Sequence, residues 1–151
     1  MMSFVPAARV LRALAIALWV GALAGFAFLF APIAFHTIGP TAQFAAMIAA
    51  TLRALTAFGW ACALVALGAT FAIPGCRKRG TLIFGAIVAA MALLGLYEVI
   101  AVIPAMETLK LQTPAYAALH KTSSLVYGAA LLLGLIAIAM ISVRDIREGN
   151  D

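Results

Sequence analysis

Four long apolar runs, divided by brief polar breaks, constrain this chain more than any other feature. Charge-free stretches extend from Ala13 to Phe35, Ala54 to Ile73, Thr81 to Tyr97 and Thr122 to Val143. Each is close to the roughly 20 residues that cross about 30 Å of hydrocarbon as a helix. The third reaches Ile103 if Glu98 is tolerated within it. Composition points the same way: 66% of the residues are hydrophobic and 10% charged, against roughly 45–50% and 25% in soluble domains. A water-soluble globule of this length has too little interior to hide that much apolar surface, so lipid has to cover it.

The pattern selects helices. A membrane strand alternates its two faces over about ten residues, whereas these runs are unbroken and about twice that length. Helices also satisfy their own backbone groups in lipid. With Pro74 and Gly80 bracketing a short second connection, successive helices become antiparallel neighbours. The expected fold is all-α, an integral membrane up-down-up-down four-helix bundle in a single domain, with spans at about 11–35, 45–73, 81–103 and 117–143. Helix-forming residues from Thr41 to Arg53 predict that the second helix begins before the membrane. The 23 uncharged residues of the first run exceed the roughly 7–15 of a signal-peptide core, so that run is expected to stay as a span.

Charge placement gives an orientation. Arg9, Arg12, Arg77, Lys78, Arg79, Arg144 and Arg147 fall on one side of such a bundle, and Arg53, Lys110 and Lys121 on the other. The positive-inside rule then puts both termini in the cytoplasm. The net charge of +5 therefore reads as attraction to anionic lipid heads, not to nucleic acid. The lipid bilayer is the expected partner. Cys62, within the second span, and Cys76, in the cytoplasmic turn, form neither a CxxC pair nor a disulfide in a reducing compartment.

The polar residues that remain gather toward one end. His36 ends the first span, Arg53 enters the second, Glu98 lies near the end of the third, and His120 opens the fourth. His120, Ser123, Ser124 and Tyr127 follow i, i+3, i+4, i+7, one continuous helical face that is expected to turn inward toward Glu98. A carboxylate in hydrocarbon costs on the order of 2.5–3.5 kcal/mol, so Glu98 requires a partner, with Arg53 and His120 as the candidates. Glu107, beyond Pro104, reads as a solvated loop residue. On the first helix Gly21 and Gly25 form a GxxxG whose face also carries Pro32 and His36. It is expected to pack helices within the monomer, with homo-oligomerisation as the alternative. Pro32 is expected to kink that helix.

Several of these residues match a known pattern. Leu18-Trp19-Val20-Gly21 with Phe28, Ala31-Pro32 and Phe35 resembles the first span of the transmembrane protein 205-like family of small four-helix membrane proteins. Glu98, Pro104 and Met106 are similar to its third-helix motif, and Leu119-His120 with Ser123 to the start of its fourth. Tyr127 departs from the small polar residue expected there. The resemblance implies a membrane protein with a polar centre and no assigned reaction.

Three function classes follow. The first is a noncatalytic structural or accessory membrane component without a cofactor. The second is a haem or metal binder using His36 and His120, and the third a small cation or solute transporter using Glu98. No nucleophile elbow, HExxH, phosphate-binding glycine loop or paired carboxylates suggest an enzyme.

Overall fold

The chain's structure, a computed structural model, describes residues 4–73, 79–111 and 113–148, with side chains described as far as Val143. Cys76, Arg77, Lys78 and the side chains of Arg144 and Arg147 therefore lie outside the described residues. Four helices account for nearly everything else: α1 (Phe4–Ile38), α2 (Ala42–Ala72), α3 (Arg79–Glu107) and α4 (Pro114–Glu148). Each is long and apolar enough to cross a membrane, and no strand occurs among the described residues. The second helix does begin ahead of its apolar run, at Ala42.

Local chemistry sets the helix ends. Gly39 has φ +75°, a left-handed conformation that glycine adopts without strain, and its N–H donates to the Phe35 carbonyl at 2.9 Å, closing α1. Two residues on, the extended Thr41 accepts from Phe44 N–H through Oγ1 at 3.1 Å and caps α2. Thr113 does the same for α4, accepting from Tyr116 N–H at 3.2 Å just before Pro114.

Neither Pro32 nor Pro104 ends its helix. Each is preceded by a π-helical turn, Phe26–Phe30 in α1 and Glu98–Val102 in α3. Ala31 N–H bonds back to Phe26, and Ile103 N–H back to Glu98, each five residues earlier. A proline ring collides with the carbonyl four residues before it and offers no N–H to replace the lost bond. Widening the preceding turn by one residue relieves both conflicts, and the helix resumes. α1 and α3 therefore share a device that α2 and α4 lack.

α1 packs on α2 and α4, and α3 packs on the same two helices. From α1 the stripe Ile16, Trp19, Val20 and Leu23 turns inward at helical spacing. It meets Cys62, Ala63 and Ala66 of α2, Val88 and Met91 of α3, and Ala130 and Ala137 of α4. The α2 and α4 contributions are small, which lets the backbones approach where large α1 side chains project. Gly59 of α2 lies directly under the Trp19 indole, and Gly134 of α4 under Val20 with Met91 close by. A second apolar cluster unites Ala49, Leu52 and Ile103 with Phe26, Val99 and Tyr127, so residues of both π turns share one packing unit.

Outside this core the helices expose Leu14, Leu18, Phe28, Leu64, Phe71, Leu93, Ile100, Leu125 and Leu132. At most 33% of the most apolar window of any helix is buried. Apolar exposure on every helix is what a lipid-facing surface requires and what a soluble protein avoids.

The GxxxG glycines point the other way from expectation. Gly21 is exposed, and a Cβ placed on Gly21 or Gly25 meets nothing within 4 Å. The closest glycine approaches among the described residues occur at Gly59 and Gly134, opposite bulky residues. Substituting Gly21 by Ala is accordingly expected to leave the thermal midpoint of detergent-solubilised monomer unchanged or slightly raised, since alanine favours a helix by about 1 kcal/mol over glycine. Circular dichroism melting checks this.

Candidate functional site

Glu98 is the first residue of the α3 π turn and is completely removed from solvent. Its Oε1 accepts a hydrogen bond from the Ser123 hydroxyl of α4, which is itself buried. Among the described residues Oε2 has no hydrogen-bond partner. Next along α4 is Tyr127, one turn beyond Ser123, whose hydroxyl lies 3.5 Å from Thr56 Oγ1 of α2. The Tyr127 ring stands 6.2 Å from the Phe26 ring of the other π turn. Three helices thus contribute hydroxyl or carboxyl groups to one neighbourhood, and the fourth covers it with an aromatic ring.

The partner expected for Glu98 is different. Arg53 does not reach it; its Nη2 donates to both carboxylate oxygens of Glu107, at 2.7 and 2.8 Å. This pair joins α2 to the end of α3 and is roughly half exposed. Because α3 runs on through Pro104 to Glu107, Glu107 is a helical residue with a defined position and an ion-pair role. An ion pair this exposed contributes about 0–1 kcal/mol. Arg53→Ala is therefore expected to lower stability by no more than about 1 kcal/mol, against the larger loss that a buried partner of Glu98 would give. Thermal melting in high and low salt distinguishes the two.

The polar stripe on α4 divides. Ser123 and Tyr127 turn inward, whereas His120 and Ser124 are exposed, with Ser124 Oγ donating to the His120 carbonyl at 2.9 Å. On α1, His36 is likewise exposed, its ring edge-on to Phe35 at 6.1 Å between centroids. Among the described residues no group of three or more His, Cys, Asp or Glu side chains gathers in a way that would hold a metal ion.

Two features escaped sequence reasoning. Thr56 joins Tyr127, though a threonine near the start of an apolar run carries little signal of its own. Arg12, assigned by position to the membrane surface, is buried, with its guanidinium 5.6 Å above the Phe84 ring centroid. It borders an apolar groove of about 450 Å³ between α1, α3 and α4, at the opposite end of α3 from Glu98. By contrast, the enclosed space lined by Trp19, Thr56, Met91 and Tyr127 measures about 10 Å³, the size of a single water site at most.

Four helices long and apolar enough to cross a membrane, with a polar contact enclosed among them, give the chain the character of a multi-pass membrane protein. The chain belongs to the family described as a domain of unknown function (DUF4149), which matches residues 14–115, about two thirds of its length. That segment includes His36, Arg53, Glu98 and Glu107 and stops short of Ser123 and Tyr127. No curated protein and no solved structure matches the chain.

Proposed function

We propose that this protein is a noncatalytic structural or accessory component of the bacterial cytoplasmic membrane. It crosses the bilayer as an up-down-up-down four-helix bundle with both termini in the cytoplasm, and the Glu98 end faces outward. The seven-to-three division of Lys and Arg between the two sides supports that orientation. The motifs around Glu98, Pro104 and Ser123 support the narrower kinship with transmembrane protein 205-like proteins.

The observation that carries the functional reading is the enclosure of Glu98. Its carboxyl is sealed from solvent and bound to Ser123, and the space near Tyr127 and Thr56 has no room for a solute larger than water. A group so placed joins α3 to α4 and sets their rotation, and a substrate cannot touch it without the helices separating. The first helix offers its smooth Gly21–Gly25 face to lipid or to a second copy of the chain, and nucleic acid has no place in this reading.

Absorbance of the purified protein tests it against the haem alternative. After expression with ample haem, no Soret band is expected. A Soret band that disappears in His36→Ala or His120→Ala would replace the structural reading with a haem-binding one.

A further inference from the structure

Glu98 presents an asymmetry that a purely structural contact does not require. One oxygen is held by Ser123, and the other, equally buried, meets no donor. A carboxylate of this kind would be a buried charge with an empty acceptor and, among the described residues, no cation paired with it, since Arg53 is engaged with Glu107 at the exposed edge. Burial of an unpaired charge is far more costly than burial of a neutral hydrogen-bonding group. The groups around it offer no compensation. α4 supplies the Ser123 and Tyr127 hydroxyls, α2 supplies Thr56, and α1 reaches this region with the Phe26 ring. Of the remaining titratable groups near Glu98 and Ser123 in sequence, Tyr97, Glu107, Lys110, His120 and Lys121 are exposed.

We propose that Glu98 is a reversible proton-binding site, with the exchangeable proton on Oε2 and Oε1 kept as the acceptor for Ser123. The step is simple in its balance: Oε2–H breaks, a carboxylate remains, and the proton leaves for bulk water. The carboxylate formed would lack a partner in the packed arrangement, so proton release is coupled to a rearrangement that brings water or a cation to Oε2. The π turn is where that movement is easiest. Glu98 begins the turn, and helical order from Glu98 to Val102 already departs from the α-helical register. This goes beyond the structural reading, because it makes the α3–α4 contact responsive to protons. It also survives if that reading fails in favour of transport.

Infrared spectroscopy of the protein in lipid nanodiscs tests the proposal. The wild type at neutral pH is expected to show the C=O stretch of a protonated carboxylic acid, absent from Glu98→Gln, whose amide oxygen can still accept from Ser123. Raising the pH is expected to replace the band by carboxylate bands while circular dichroism reports a folded protein. Ser123→Ala is expected to shift the band by removing the hydrogen bond to its carbonyl. Should Glu98→Gln fail to fold, a Glu107→Gln/Glu148→Gln chain leaves Glu98 as the sole glutamate, and an isotope label on the glutamate carboxyl carbon assigns the band without altering the site. Absence of the band overturns the proposal, as does a band that never titrates in the folded protein. A titration that moves with sodium or potassium concentration also overturns it and makes the site one for a metal cation.

Discussion

Gly59→Ala and Gly134→Ala are each expected to destabilise the protein by about 1–3 kcal/mol, the usual penalty for forcing volume into a packed core. A methyl on Gly59 would occupy the space of the Trp19 indole, and one on Gly134 that of the Val20 side chain. Neither neighbour is the loose end of a flexible chain. Trp19 and Val20 are both buried, so relief demands separation of α1 from α2 or α4. Alanine's better helix propensity, about 1 kcal/mol, works against the loss without cancelling it. Thermal melting in nanodiscs gives the sign, and a double-mutant cycle gives the cause: Gly59→Ala is expected to cost less in a Trp19→Ala background than in the wild type. Equal losses in both backgrounds would mean that Trp19 does not rest on Gly59.

The second large effect concerns the α3–α4 contact. Ser123→Ala removes the donor to Glu98 and is expected to cost about 1–3 kcal/mol, because a buried acceptor is left unmatched. Adding Glu98→Leu to that variant is expected to restore much of the loss, since an apolar pair of similar shape carries no unmet hydrogen bond. Arg53→Ala added to Ser123→Ala is expected to contribute only its own small increment. A double variant no more stable than Ser123→Ala alone would contradict the structural role assigned to the Glu98–Ser123 bond.

How far the sequence announces this structure depends on the kind of information each feature carries. The helices are legible because apolar runs of membrane-crossing length are long-range patterns that need no knowledge of neighbours. Glu98 is legible as a residue requiring a partner, and helical spacing puts Ser123 on a face with Tyr127. Spacing alone does not say which edge of that face turns inward, and His120 and Ser124 prove to lie on the exposed edge. The same limit applies to GxxxG. Periodicity shows that Gly21 and Gly25 share a face, but the direction of that face is set by the neighbouring stripe of Ile16, Trp19 and Val20, which has more apolar surface to bury.

Arg53 illustrates a different gap. Its partner depends on how far α3 extends, and Pro104 normally signals a helix end. The π turn from Glu98 to Val102 lets the helix continue, carrying Glu107 to Arg53 and leaving Glu98 to Ser123. A π turn just before each of two prolines becomes visible only in the folded backbone. With Phe26 and Val99 on one packing cluster, the two turns act together on the region around Tyr127.

Topology is the feature on which the rest depends, and thiol labelling in intact cells measures it most directly. In a Cys62→Ala/Cys76→Ala chain, single replacements Thr37→Cys, Thr108→Cys and Gly80→Cys report the ends of α1 and α3. Thr37→Cys and Thr108→Cys are expected to react with a membrane-impermeant reagent in intact cells, and Gly80→Cys only after permeabilisation. Labelling of Gly80→Cys in intact cells, or of Thr37→Cys and Thr108→Cys on opposite sides, would contradict a four-crossing chain with its buried glutamate toward the outer face.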